Sequence, residues 1–344
     1  MRVEDDQTAF DLWLWPLRLG LGLMAAASEK PEIEWATPND IVADTPTMRL
    51  RRFRTGDASG PPTLIVAPFA VHDAGIADLA PRHSLVERLA REGLGPIAVT
   101  EWKSATPAMR SFTIDAYLAD LNVAVDLLGA VPNLVGLCQG GWLSLLYAAA
   151  FPGKARRLAV AGAPVDTSFP SQIAQSARSV VPQYVEELIS AANGLVSGRS
   201  TLASFRAMGD AESDACDILQ VDPPCPSGLL ARYAAWDARA VNLPGRYYMQ
   251  VLVWLFRENR LADGVFPAFG RPAPLSAISA PIYVLTGARD AIAPPPQALA
   301  ALDLVATPAA DRMQAQSDCG HLSLFMGRAT LENEWREIAA WLKG

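Results

Sequence analysis

The 344-residue sequence is poor in metal-ligating side chains: it has three histidines (His72, His83, His321) and four cysteines (Cys138, Cys216, Cys225, Cys319), with no C-x-x-C pair. Zinc centres draw on closely spaced Cys and His ligands, so no metal site is expected. A chain of this length buries a large core without covalent staples, so a disulfide framework is not expected either, and reduced cysteines fit the cytoplasm. Basic runs are also missing. Lys and Arg number 29 against 36 Asp and Glu, a net charge of −7, which removes the basic face that a nucleic-acid partner requires. No internal repeat is visible, which sets aside solenoids and propellers. Charged residues make up only 19% and hydrophobic residues 51%, a balance that places the chain among folded rather than disordered proteins.

The first residues, Met1-Arg2-Val3-Glu4-Asp5-Asp6, are acidic where a secretory signal is basic. Residues 10–27 are strongly apolar but are interrupted by Asp11, Pro16 and Arg18. That falls short of a clean transmembrane span. The segment reads as a helix packed on the body or on a partner chain, as in a homodimer, or as one lying on an apolar surface.

From about residue 48 short apolar runs alternate with amphipathic stretches. Strands are expected at 63–66, 96–100, 133–137 and 158–161, and helices at 85–92, 114–128 and 142–150. In the 114–128 stretch Tyr117, Leu118, Leu121, Val125 and Leu128 share one face. The strand pattern resumes at 281–287 and 313–316, and a helix at 331–342 closes the chain. Strands alternating with helices imply an α/β fold with a doubly wound, mostly parallel sheet. Residues 168–274 look helical and irregular, with Pro223-Pro224-Cys225-Pro226 as an interruption. The expected organisation is an N-terminal segment 1–44, an α/β core formed by 45–167 and 275–344, and a helical cap 168–274 inserted late in the sheet.

The sharpest motif is Gly136-Leu137-Cys138-Gln139-Gly140-Gly141, between an expected strand and an expected helix. It is a nucleophile elbow with Cys in place of Ser, and no G-x-S-x-G occurs elsewhere to compete with it. Small neighbours let the chain turn tightly enough to lift the sulfur above the sheet. The turn also aims the Gln139 N–H at a developing oxyanion, helped by the helix terminus. The plain alternative is a small buried cysteine in a glycine-rich turn. The motif lacks G-x-G-x-x-G spacing, so it is no dinucleotide loop, and no cofactor is expected.

In this chain order the acid follows the nucleophile and the base comes last. Asp290 closes the 282–287 strand with a turn and His321 follows the 313–316 strand, so Cys138, Asp290 and His321 are the expected triad, with Asp166 and Asp318 as weaker acids. His321 would deprotonate Cys138, and Asp290 would hold the imidazole tautomer. Phe69 or Ala70, after the first core strand, would give a second oxyanion N–H, and His72 is a candidate to line the site. His83 reads as a helix-start residue. Cys319 reads as a small side chain packed beside the base.

These motifs resemble the polyhydroxyalkanoate enzymes, namely the intracellular cysteine-dependent depolymerases and the polyester synthases, from about residue 64 onward. The segments carrying the resemblance are Ala67-Pro68-Phe69-Ala70-Val71-His72, Thr100-Glu101-Trp102-Lys103-Ser104-Ala105, Ala161-Gly162-Ala163-Pro164-Val165-Asp166-Thr167 and Gly320-His321-Leu322-Ser323-Leu324-Phe325-Met326-Gly327, with the stretch from Tyr247 to Gly264 also similar. Gln139 is depolymerase-like, whereas Gly140-Gly141, Trp236-Asp237 and Asn242-Leu243-Pro244-Gly245 lean toward synthases. Ala291 after Asp290, and the absence of Asn-Pro-Pro after His321, depart from the synthase pattern. The resemblance implies an α/β-hydrolase fold and a hydrophobic 3-hydroxyacyl polyester or oligomer, or an acyl-CoA, as substrate. It also implies residence at a polyester granule surface. Hydrolysis by an acyl-thioester route is the leading reading. A synthase-like acyltransferase, a non-catalytic granule-associated protein and a small-molecule thioesterase remain open. The apolar run 247–256 reads as cap core, as a dimer interface or as a wall for an apolar substrate.

Overall fold

The computed structural model describes residues 33–56, 60–208, 218 and 228–344. The apolar segment 10–27, Cys216, Cys225 and the proline-rich interruption at 223–226 lie outside the described residues.

Eight strands form one sheet: β1 (Asn39–Asp44), β2 (Met48–Phe53), β3 (Thr63–Val66), β4 (Ile97–Trp102), β5 (Asn133–Leu137), β6 (Leu158–Ala161), β7 (Ile282–Gly287) and β8 (Arg312–Ser317). Their order is β1-β2-β4-β3-β5-β6-β7-β8. All pairings from β4 through β8 are parallel, while β1–β2 and β2–β4 are antiparallel. The central strands β3, β5, β6 and β7 are buried along their whole length, which explains why they read as unbroken apolar runs rather than alternating ones. β2 alternates instead, with Met48, Leu50 and Phe53 inward. The edge strand β1, within the stretch assigned to the N-terminal segment, is largely exposed.

Helices α1 (Leu85–Arg91), α2 (Ile114–Leu127) and α3 (Gln139–Ala150) follow strands in the core. Ser84 caps α1 by accepting from the Glu87 N–H. On α2, Tyr117, Leu118, Leu121 and Val125 are buried as the spacing predicts, and Leu128 caps the end. The helix expected at 142–150 begins three residues earlier, directly after Cys138. The helix expected at 331–342 is broken at Asn333, where one short helix ends and Glu334–Lys343 begins.

Between β6 and β7 the chain leaves the sheet. This excursion contains α4 (Gln172–Ser179), α5 (Pro182–Ala191), α6 (Gly198–Met208), α7 (Leu229–Ala238) and α8 (Gly245–Gln250), which continues as a π-helical stretch, Val251–Arg257. Tyr247, Met249, Val251, Leu252, Leu255 and Phe256 of that run are buried, so most of its apolar surface is spent on packing within the fold. Arg257 holds the excursion together by donating to the carbonyls of Ala177, Arg178 and Val180 at the end of α4. Among the described residues no helix is long and apolar enough to cross a membrane.

Candidate active site

Cys138 stands between β5 and α3 with φ 50° and ψ −115°, a conformation that a side chain adopts only under strain. The neighbours show why the elbow needs glycine. A Cβ on Gly140 would fall 2.0 Å from the Val66 carbonyl oxygen, and one on Gly136 would fall 2.5 Å from the Gly141 Cα. The chain therefore turns so closely on itself, and on the end of β3, that only hydrogen fits. The Cys138 N–H is committed to the Ala161 carbonyl at 2.8 Å. Gln139 opens α3, so its N–H lies in the first helical turn, where donors have no intrahelical partner and the helix dipole favours negative charge. The Gln139 side chain accepts from the Trp142 indole at 3.0 Å.

Asp290 and His321 arrive from the ends of β7 and β8. The Asp290 carboxylate is buried and accepts at Oδ1 from the N–H groups of Ile292 and Ala293, both at 2.9 Å. Its Oδ2 lies 2.7 Å from His321 Nδ1. Cys138 is the second group that acts on the imidazole and favours its charged form. Phe325 stands edge-on to the His321 ring at 5.2 Å. Burial opposes the charged imidazolium, but the Asp290 and Cys138 charges and hydrogen bonds outweigh it and hold the His321 pKa well above the ordinary histidine range. Asp290 and His321 thus form a hydrogen-bonded pair with Cys138 in electrostatic reach of the imidazole, an arrangement able to pass a proton from a thiol to an imidazole.

The rival acids are placed elsewhere. Asp166 accepts from Ser168 and Asn259, and Asp318 is largely exposed beside Arg289. Phe69 is buried in the loop after β3, stacked on Tyr117 at 4.6 Å, and Ala70 packs on a small cluster of Val71, Leu202 and Ala240. His72 is engaged by the helical excursion: its Nε2 lies 3.1 Å from Asp237 Oδ1 and its ring stacks on Trp236 at 4.1 Å. His83 lies in a two-residue strand just before the α1 cap, buried, with Nδ1 donating to the Met326 carbonyl behind the His321 loop. Cys319 is buried and its sulfur accepts from Thr330 at 3.6 Å. Among the described residues no group of Cys, His, Asp and Glu is placed to hold a metal ion.

Two residues at the site carried no role in the sequence reading. Gly162, after β6, has φ +54°, and a Cβ there would meet Leu324, His321 Cε1 and Asp290 Oδ2 at 3.0, 3.1 and 3.3 Å. Its signal was its place immediately after a core strand. Tyr247 is buried on α8, tilted 5.1 Å from Phe69 and 4.8 Å from Tyr117. Burial, with the Cys138 charge as a second cause, raises its phenol pKa. It was legible only as one of many apolar residues in 247–256.

The sequence pattern of the alpha/beta hydrolase fold matches residues 100–327, and the chain belongs to that family. Within it, the similarity runs to polyester synthases. The chain is 25% identical over 320 residues to the poly(3-hydroxyalkanoate) polymerase subunit PhaC of Haloferax mediterranei, covering 89% of this chain and 63% of that protein. It is 22% identical to the subunit of the same name from Allochromatium vinosum, covering 99% of this chain and 98% of that one. This chain therefore spans less than two thirds of the Haloferax relative but nearly all of the Allochromatium one. Among solved structures, a hydrolase from Pseudomonas aeruginosa superimposes with a TM-score of 0.55 at 16% identity, covering 89% and 98% of the two chains; that likeness concerns the fold. The relatives are named polymerase subunits, which supports the synthase-like acyltransferase alternative better than the leading expectation of a depolymerase.

Proposed function

We propose that the protein is an acyltransferase of the polyester-synthase type, which moves a 3-hydroxyacyl group from a coenzyme A thioester to the hydroxyl end of a growing oligomer. The observation that carries this reading is the Asp290–His321–Cys138 line at a strained elbow, in a chain that aligns from end to end with a polymerase subunit.

In the first half-reaction His321 takes the Cys138 proton and the thiolate attacks the thioester carbonyl. The oxyanion of the tetrahedral adduct is met by the Gln139 N–H and by the loop at Phe69 and Ala70. Collapse expels the coenzyme A thiolate, which recovers the proton from the imidazolium, and leaves an acyl-thioester on Cys138. In the second half the hydroxyl of another hydroxyacyl unit gives its proton to His321 as it attacks that thioester. Cys138 leaves as thiolate and is reprotonated, and an ester has formed. Asp290, fixed by two backbone donors, stabilises the imidazolium in both halves. The aromatic packing of Phe69, Tyr117 and Tyr247 supports transfer over hydrolysis, because a dry wall beside the acyl-enzyme disfavours water as the acceptor.

The test is to supply 3-hydroxybutyryl-CoA to the wild type and to Cys138→Ala, following free thiol and the product together. Thiol release with oligomeric ester, lost in the variant, supports the proposal. Thiol release with only free 3-hydroxybutyrate makes the protein a thioesterase. No thiol release, but release of hydroxy acid from amorphous polyester, returns the depolymerase.

A further inference from the structure

The aromatic group beside the elbow contains two oxygen atoms that packing alone does not need. Phe69, Tyr117 and Tyr247 meet ring against ring at 4.6 to 5.1 Å, and Trp102 joins them at 5.5 Å from Tyr117. Both tyrosines are essentially fully buried, at 0% and 1% exposure. Phenylalanine would fill the same volume, so the hydroxyls call for a separate reason. The Tyr117 hydroxyl is buried and has no hydrogen-bond partner among the described residues, a condition that folded proteins avoid unless something else supplies the partner. Its helical neighbour Asp120 does not do so: one of its oxygens accepts from both the N–H and the hydroxyl of Thr47.

The position of these phenols narrows the choice of partner. Phe69 belongs to the loop after β3, and Gly140, two residues beyond the nucleophile, lies against Val66 and Ala67 at the end of that strand. The ring cluster therefore borders the elbow. Burial above all, with the Cys138 charge second, opposes ionisation of Tyr247, and burial, with Tyr247 second, opposes that of Tyr117. Tyr247 meets both the Phe69 ring of that loop and the Tyr117 ring, at 5.1 and 4.8 Å. Oxyanion donors come from the backbone at the strand ends, so the carbonyl oxygen of an acyl group on Cys138 has its partners already. A hydroxyl further along the same acyl chain has none, and burying it there without a partner is costly. A phenol both donates and accepts, so it satisfies such a hydroxyl in either direction.

We propose that Tyr247, backed by Tyr117, is a specificity-determining residue that hydrogen-bonds the hydroxyl of a 3-hydroxyacyl group on Cys138 and so selects hydroxyacyl thioesters over plain acyl thioesters of equal length. This rests on the acyl-transfer reading of the same site. It also separates two tasks: the elbow and triad activate any thioester, whereas the cap-borne phenol reads whether the acyl chain carries the nucleophile for the next addition.

The experiment compares initial thiol release from 3-hydroxybutyryl-CoA and butyryl-CoA by the wild type, Tyr247→Phe, Tyr117→Phe and the double variant. The expected result is a fall in the hydroxybutyryl-to-butyryl ratio of kcat/KM by roughly tenfold in Tyr247→Phe, with a further fall in the double variant. A purely structural role lowers both substrates alike and leaves the ratio unchanged, and that result overturns the proposal. A wild type that releases thiol from neither substrate removes the acyl-transfer reading and this assignment with it. A wild type active on both, with a ratio that neither substitution moves, overturns this assignment alone.

Discussion

Arg239 donates through Nε to Asp73 Oδ2 at 2.6 Å, with both side chains more than nine-tenths buried and 166 residues apart in sequence. The pair joins the end of α7 to the loop after β3, the loop that carries Phe69 and Ala70. Beside it, the Val241 N–H bonds the Val71 carbonyl at 2.7 Å, and Trp236 reaches the Asp73 carbonyl. The helical excursion therefore holds the expected oxyanion loop in place as well as covering it.

Arg239→Met is the sharpest probe of that clasp. Burial pushes the Asp73 carboxyl pKa up, while Arg239 pulls it down. Removing Arg239 leaves a buried carboxylate without its counter-ion, so the variant should lose about 3–5 kcal/mol in chemical denaturation. Asp73→Leu combined with Arg239→Met should recover part of that loss, because the desolvation cost of both charges disappears together. If the double variant is as unstable as the sum of the single ones, the two groups are not acting as a pair.

Gly162 predicts an effect on chemistry from a residue with no polar side chain. Its φ of +54° and a Cβ that would lie 3.1 Å from His321 and 3.3 Å from Asp290 mean that alanine there presses on the line between acid and base. Gly162→Ala should cost about 1–2 kcal/mol of stability for the left-handed backbone. It should also lower kcat well beyond what that loss explains, with KM little changed. Asp290→Asn gives the reference: it keeps the shape but cannot stabilise the imidazolium, and a fall of about 10⁴-fold in kcat is expected. Full kcat in Gly162→Ala would show that the loop relaxes freely.

Much of this was legible because it is local in the chain. The apolar runs that became β3, β5, β6 and β7 are buried from end to end, and the elbow needs only a strand, a nucleophile flanked by glycine, and a helix in immediate succession. The order Cys138, Asp290, His321 could be read because each follows its own strand. The contacts that cross the chain could not be read. Nothing in the sequence pairs His72 with Asp237, Asp73 with Arg239 or Phe69 with Tyr247, since each partner lies in a segment whose composition signals only apolar or turn-forming character. Gly162 looked like any glycine at a strand end. Hydrolysis and transfer share the same acyl-enzyme, so triad order had no power to separate them, and the relatives moved the balance.

The elbow should trade stability for reactivity. At φ 50° and ψ −115° a Cβ is strained, whereas glycine reaches that region at little cost. Cys138→Ala and Cys138→Gly both remove the sulfur, but only alanine keeps the strain. Cys138→Gly should therefore be the more stable of the two by about 1 kcal/mol in thermal or chemical unfolding. Equal stabilities, or a more stable alanine variant, would mean that the turn is not held against its own preference.

His83 gives a pH dependence of stability with a definite sign. Burial lowers its pKa below 6.5, only partly offset by the hydrogen bond to the Met326 carbonyl. The folded protein thus holds the ring neutral in a range where the unfolded chain protonates it. The unfolded state binds the extra proton, so the stability tied to neutral His83 is complete above pH about 6.5 and drains away as the pH falls toward the lowered folded value. His321 works in the opposite sense: its raised folded pKa adds stability below pH about 6.5, which is lost as the pH rises through the folded value. Whole-protein curves mix the two, so the measurement is a difference between wild type and His83→Asn across pH 5 to 8. Asparagine keeps a donor for Met326 but does not titrate. The variant should gain on the wild type steadily as the pH drops, and a difference that stays constant with pH would show that His83 protonates as readily in the fold as in the open chain.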